Sequence, residues 1–164
     1  MMNTNPNPIR EGFHSVTPAL VVRDAAAAIE FYQRAFGAAE HYRLTGPDGR
    51  IMHAQIQIGD SILMLCDEMP EWGCHSAETL GGSPISLAIY VPDVDTSFAR
   101  ALTAGASVVR PVTNQFYGDR SGVVADPFRL SWSIATQVET VSPEEMEKRA
   151  AVWIKENVPD GPTQ

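Results

Sequence analysis

Basic residues are scarce in this chain: 12 Lys and Arg stand against 20 Asp and Glu, a formal net charge of −8 with a pI near 4.9. The few cations are scattered rather than clustered. A phosphate backbone is bound by Lys and Arg that displace counterions, so nucleic acid and anionic membrane surfaces are poor partners for this composition. Cysteine is scarcer still. Cys66 and Cys74 are the only two, so no disulfide framework can hold the fold, and two thiols in a chain of this type are expected to stay reduced. They form no Cys-x-x-Cys pair, and with His75 their spacing is poor for zinc. No apolar run approaches membrane length. No Gly-rich phosphate loop precedes a helix. Residues Met1 to Pro8 lack a basic flank followed by an apolar core, so no secretory leader is expected, a floppy arm is, and the cytoplasm is the expected location.

What is present suits one well-buried domain or two small fused units in 164 residues. Ser15 to Val22 is small, β-branched and apolar, as a buried strand would be. Asp24 then caps a helix over residues 25–36, with Ile29, Tyr32 and Phe36 at helical spacing and Gly37 placed to close it in a left-handed conformation. Strands follow at 40–44, 50–58 and 61–66, separated by the turns Gly46-Pro47-Asp48-Gly49 and Gly59-Asp60. After an irregular stretch at 67–83, rich in Pro and Gly, the scheme restarts: a strand at 86–91, a helix capped by Asp93 or Asp95 and ended by Gly105, and strands at 107–112, 122–125 and 131–136. Leu20-Val21-Val22-Arg23-Asp24 matches Ile89-Tyr90-Val91-Pro92-Asp93, and Phe36-Gly37-Ala38 matches Ala104-Gly105-Ala106, which reads as two copies of one unit. Ser142-Pro143-Glu144-Glu145 then opens a helix to about Asn157, with Met146, Ala150 and Trp153 on one face and a fraying tail from Pro159. The expected class is α+β: two βαβββ units forming curved mixed sheets with concave cups, plus a C-terminal helix. The expected boundaries are an arm at 1–14, one domain at 15–138 (units 15–66 and 84–138, connecting loop 67–83), and a helix and tail at 139–164.

Several short motifs carry a family resemblance. They are Thr17 to Asp24, Ile29-Glu30-Phe31-Tyr32, Ala35-Phe36-Gly37-Ala38, Gly46 to Ala54, Phe116 to Gly122, and Asp126-Pro127-Phe128 with Trp132. Together they resemble the vicinal-oxygen-chelate superfamily, the glyoxalase and bleomycin-resistance fold, and within it the PhnB-like branch. That resemblance implies two sheets whose cups hold a small ligand or a divalent metal. It also implies one His, Gln or Glu ligand on each of four strands; register puts these positions at Thr17, Met64, Ser86 and Ser133. Hydroxyls and a thioether suit a hard divalent cation badly, so no cofactor is expected. The last turn of that branch resembles Asp-Pro-Phe-Gly-His-x-Trp, whereas Arg129 and Leu130 stand here in place of the Gly and the His.

Strand alternation sorts side chains between helix and cup. Met52, Ala54, Ile56 and Ile58 should pack under a helix, leaving His53, Gln55 and Gln57 on the opposite face. His53 is the candidate proton donor or acceptor near neutral pH, with Gln55 beside it; the same alternation also describes a half-exposed strand with a solvated polar face. Met64, Tyr90 and Ser133 point into the cups by the same rule, as pocket residues or as packing. Phe116, Tyr117 and Arg120 form an aromatic and cationic rim, or else Asp119 and Arg120 clip a turn while the rings shield the core. Trp72 in the connecting loop is a lid aromatic or the cover of a sheet edge. A mostly apolar hollow with few polar groups suits an aromatic or amphipathic organic molecule. The expected function is metal-independent binding of such a molecule by a homodimer. The alternative is an enzyme (lyase, isomerase or dioxygenase) using a relocated divalent metal, with His53, Gln55 and His14 or His41 as ligands, or using His53 as a metal-free acid–base.

Overall fold

In a computed structural model, which describes residues 7–159, the two units recur in the expected order. The first unit comprises β1 (Ala19–Val22), α1 (Ala25–Phe36), β2 (Ala39–Thr45), β3 (Ile51–Ile58) and β4 (Ser61–Asp67). A 3-10 turn at Pro70–Trp72 and a short helix α2 (Ala77–Leu80) give the connecting stretch more order than its Pro and Gly content suggested. The second unit comprises β5 (Ser86–Tyr90), α3 (Val94–Ala104), β6 (Ser107–Asn114), β7 (Asp119–Ala125) and β8 (Ser131–Gln137), and α4 (Pro143–Asn157) follows. The start of the expected arm, residues 1–6, and the end of the expected tail, residues 160–164, lie outside the described residues.

Each unit forms one four-stranded mixed sheet, in the orders β1-β4-β3-β2 and β5-β8-β7-β6. The pairings are equivalent. β1 runs parallel to β4 with Ala19 opposite Met64, and β5 runs parallel to β8 with Ala88 opposite Ser133. Neither sheet closes into a barrel. The helices are also capped alike: the Asp24 carboxylate accepts the Ala27 N–H at 2.9 Å and the Asp93 carboxylate accepts that of Thr96 at 3.2 Å.

The core lies between the sheets, where α1 packs on α3. Sequence spacing marked one apolar stripe on α1, but burial extends round it to Ala25, Ala28, Phe31 and Ala35. The reason is that α1 has partners on two sides. Its own sheet supplies Leu65, Ala54 and Ile56, while the second unit supplies Trp132 and Phe128, with the Trp132 ring 4.7 Å from Phe36 and 5.3 Å from Tyr32. Arg100 of α3 crosses the same seam, donating from Nε to the Ala35 carbonyl at 2.7 Å.

At the centre of this seam sits a buried carboxylate, Asp126. Its Oδ1 accepts the backbone N–H groups of Phe128 and Leu130, each at 2.9 Å. Its Oδ2 accepts the Tyr32 hydroxyl at 2.8 Å and the Trp132 indole N–H at 2.9 Å. One side chain therefore closes the β7–β8 turn and ties it to the other unit's helix. Burial pushes its carboxyl pKa up, and the four donors pull it back. Within this turn Arg129 adopts φ 65°, the left-handed conformation that a glycine would take without strain.

The helix-facing assignment of β3 holds for Ala54, Ile56 and Ile58, but Ile51 joins the core and Met52 is half-buried. Leu44 pairs with His53 and Thr45 with Ile51, so Met52 is an extra residue in the ladder. The bulge turns Ile51 inward while leaving His53 and Gln55 on the outer face. Sheet order thus leaves two outward faces, one per unit, and the candidate chemistry sits there.

Candidate functional site

On the first outer face, β3 sets His53 and Gln55 two residues apart and therefore on one side. Gln55 Nε2 lies 3.0 Å from His53 Nε2. When the amide donates here, His53 carries its own proton on Nδ1. The partner strands complete the floor: Met64 of β4 and Tyr42 of β2 both lie opposite Gln55, and the Tyr42 ring stands 6.1 Å from the His53 ring. Gln57, next along the same face, is turned away and donates to the Gly59 carbonyl at 2.9 Å.

The wall facing this floor comes from the segment before β1. Phe13 N–H donates to the Arg10 carbonyl at 3.1 Å, making a tight turn. His14 Nε2 lies 3.2 Å from the Asp60 carbonyl, which moors the turn to the β3–β4 hairpin. Gly12 packs beside Ile62 and helps to bury it. Pro8, Ile9, Arg10, Phe13, His14 and Ser15 thereby close one side of a cavity of about 1080 Å³ whose other side is Tyr42, His53, Gln55 and Met64.

The second outer face is equivalent in backbone and different in chemistry. Ser133 occupies the place of Met64, opposite Val123, which stands where the first unit has Gln55. Ser121, two residues before Val123, matches His53. Phe116 and Tyr117 stand at the rim with ring centroids 5.3 Å apart, and Trp153 of α4 packs on Phe116 at 5.6 Å. These rings, with Arg110 and Val123, line a smaller cavity of about 430 Å³. Arg149 holds α4 in place, with Nη1 and Nη2 each 2.8 Å from the Glu139 carboxylate. Glu145 does not reach back in a reciprocal cap but accepts Arg149 Nε at 2.9 Å.

The remaining candidates stand apart. Tyr90 is largely exposed but donates its hydroxyl to Asp119 Oδ2 at 2.7 Å, and this bond raises the phenol's pKa. Asp119 is thus engaged by Tyr90, and Arg120 points to the other face of β7. Its guanidinium meets the Asp95 carboxylate with Nε and Nη2 at 2.8 Å and Asn114 Oδ1 with Nη1 at 3.1 Å. Adjacent strand residues face opposite ways, so the turn clip does not form. Trp72 is 63% exposed on its 3-10 turn, which the Arg50–Glu71 ion pair at 2.6 Å holds to the first unit, and it lines neither cavity. The structure brings together His53, Gln55 and Met64. Arg10, Phe13 and Tyr42 join them, residues that sequence reasoning passed over. Tyr42 was legible from alternation on β2; Arg10 and Phe13 were not, because only the tertiary path of the arm sets them here.

The four positions that the resemblance marks for metal ligands hold Thr17, Met64, Ser86 and Ser133. One hydroxyl and a soft thioether in the first unit and two hydroxyls in the second do not fit a hard divalent cation. His41 falls at the β2 irregularity between Glu40 and Tyr42, exposed and outside the cavity lining. Among the described residues, no three His, Cys, Asp or Glu side chains gather in a metal-holding group.

Comparison with known proteins agrees with this architecture. The family model for the Glyoxalase/Bleomycin resistance protein/Dioxygenase superfamily matches residues 12–134. The chain belongs to that superfamily. An uncharacterized protein of Mycobacterium bovis is 45% identical over 136 residues, covering 81% of this chain and 90% of the relative. The solved structure of a gene product from Arabidopsis thaliana is 27% identical with a TM-score of 0.61, over 75% of this chain and 98% of its own. TioX from Micromonospora sp. ML1 is 25% identical with a TM-score of 0.59, over 79% of this chain and 100% of its own. Solved neighbours include a PhnB protein from Bacillus cereus at 17% identity, a likeness of fold alone. No helix among the described residues is long and apolar enough to cross a membrane.

Proposed function

We propose that this protein binds a small aromatic or amphipathic organic molecule without a divalent metal, and that the first cup is the binding place. One observation carries the reading: a cavity of about 1080 Å³ presents an adjacent His53–Gln55 pair between a Tyr42 ring and the Met64 thioether. A few fixed polar groups in a half-apolar hollow are the usual make-up of an organic-ligand site. The superfamily hosts many chemistries, so membership does not choose the ligand. The donor set at Thr17, Met64, Ser86 and Ser133 supports the metal-independent part.

The reading extends to a homodimer. Val152, Ile154 and Val158 at the end of α4 are about half exposed, apolar side chains that a second copy would cover.

Isothermal titration against a panel of aromatic and amphipathic metabolites tests the proposal, with metal analysis of protein purified without chelator alongside. Saturable binding that is weakened by His53→Ala and unchanged by chelator is expected. A panel without any binder, or a stoichiometric Fe, Mn, Ni or Zn lost on His53→Ala, refutes it. The His53–Gln55 contact favours one second reading, metal-free acid–base catalysis by His53, which predicts turnover that survives chelation and vanishes in His53→Ala.

A further inference from the structure

The charge lining the first cup runs against the charge of the chain. Acidic residues outnumber basic ones 20 to 12 overall, yet the cavity is lined by Arg10, His14 and His53 and by no carboxylate. Acidic side chains on the neighbouring segments stay out of the lining. Glu40 on β2 pairs with Arg43 at 2.7 Å, Asp60 lines the neighbouring hollow beside β5, and Glu11 is absent from the lining although it follows Arg10 in sequence. Among the described residues Arg23, Arg43, Arg50, Arg120 and Arg149 each take part in at least one ion pair; Arg10 takes part in none, like Arg34, Arg100, Arg110 and Arg129, and it is the one arginine that lines the first cup. Its place is set by the moored turn: Phe13 N–H on the Arg10 carbonyl, then His14 on the Asp60 carbonyl.

We infer that the first cup takes an organic anion, a carboxylate or another acidic oxyanion on an aromatic or apolar body, and that Arg10 of the N-terminal turn is the residue that selects its charge. The inference rests on the binding reading above and adds the ligand class and the selecting group. An unpaired guanidinium at the mouth of a hollow in an acidic protein gives an anion a favourable, directional partner where the rest of the surface repels it. The body of the ligand then lies against Phe13, Tyr42 and Met64, and the His53–Gln55 pair supplies the remaining polar contact.

The test uses two dyes that share one aromatic scaffold and differ in charge, 1-anilinonaphthalene-8-sulfonate and neutral N-phenyl-1-naphthylamine, titrated by fluorescence into the full chain. Met64→Trp fills the cup and reports whether a dye sits there. Arg10→Gln removes the charge while keeping a polar side chain of similar reach. The expected result is that Met64→Trp weakens both dyes, while Arg10→Gln weakens the sulfonate roughly tenfold, the effect of losing one charge-assisted contact, and leaves the neutral dye within twofold. If Met64→Trp blocks both dyes but Arg10→Gln changes neither, or changes both equally, the cup still binds organic molecules and the anion inference is overturned. If neither dye binds, or Met64→Trp affects neither, the cup reading itself falls and this inference falls with it.

Discussion

Replacing Asp126 with Ala should be the most damaging single change outside the apolar core. The carboxylate is 4% exposed and accepts four hydrogen bonds of 2.8 to 2.9 Å. Alanine leaves four donors, two backbone N–H groups, the Tyr32 hydroxyl and the Trp132 indole, without their acceptor. A buried donor left unpaired costs about 1–3 kcal/mol. The vacated space is large enough for one bridging water, which favours the low end, about 1 kcal/mol each. Relief from holding a desolvated carboxylate takes back about 1 kcal/mol of that total. The net loss is then about 3 kcal/mol, or about 6–12 °C in Tm for a chain of this length. Tyr32→Phe removes one donor and leaves the carboxylate three, so about 1 kcal/mol is expected. Denaturant melts followed by circular dichroism measure both. A double-mutant cycle of Asp126→Ala with Tyr32→Phe should be non-additive, since the hydroxyl has nothing left to lose once the acceptor is gone. An Asp126→Ala loss under 1 kcal/mol, or strict additivity with Tyr32→Phe, refutes the account of this residue as the tie between the units.

Three further outcomes follow from the same geometry. Arg129→Gly should stabilise the protein by about 0.5–1 kcal/mol, because the φ of 65° at this position strains any side chain, even after the added freedom of a glycine in the unfolded chain is subtracted; a loss of stability in thermal melts counts against it. Gly122→Ala should destabilise by about 1–3 kcal/mol, since a Cβ there would stand 2.6 Å from Phe98 Cε2 and 2.9 Å from Val112 Cγ2, and Phe98→Leu should recover part of the loss. Glu68 accepts the Thr79 hydroxyl at 2.9 Å and the Ser76 N–H at 2.6 Å, which lowers its pKa from 4.5 to about 2. A lowered carboxyl stabilises the fold above its unfolded value and loses that contribution as pH falls through the folded one. Amide hydrogen exchange within residues 69–82, corrected for intrinsic exchange, should therefore quicken relative to Glu68→Gln as pH drops from about 4.5 toward 2, and equal changes in the two proteins count against it.

Much of the fold was legible because its signals are local. Asp24 as a cap, Gly37 and Gly105 as terminators and the alternation from Ala54 to Ile58 are decided within a few residues, and the structure follows them; between Asp93 and Asp95 it is Asp93 that caps α3. The rest depends on what meets what at long range. The wide burial of α1 reflects a second partner, Trp132, 100 residues away in sequence. The bulge at Met52 reflects a register with β2 that composition does not encode. The sequence leaves Arg120 between a cup rim and a clip with Asp119, and its partner Asp95 on α3 is reached only once the second unit is folded. The Pro and Gly content of the connecting stretch suggests irregular chain; its short helices are capped by Ser76, Gly73 and Gly81 and held to the first unit by the Glu68, Arg50 and Arg23 side chains.

The two outer faces give a reason to place function in the first unit rather than in both. Backbone pairing makes them equivalent, Gln55 opposite Met64 in one and Val123 opposite Ser133 in the other. A purely structural demand on this face would act alike on both units. Yet the first keeps His53 and Gln55 in hydrogen-bond contact beneath an open cavity, while the second carries Ser121 and Val123, both buried, in the corresponding places. The coverings differ in the same direction. Over the second face Trp153 packs on Phe116, and α4 is fixed by two contacts from Arg149 to Glu139. Over the first the chain offers a short turn moored by His14 to the Asp60 carbonyl and by Gly12 against Ile62, with Arg10 among the lining residues. The rings and the ion pair leave the second face a hollow of about 430 Å³, against about 1080 Å³ behind the short turn of the first. If that division is right, Ser121→Ala should leave binding unchanged where His53→Ala weakens it, a contrast that equal participation of the two cups would erase.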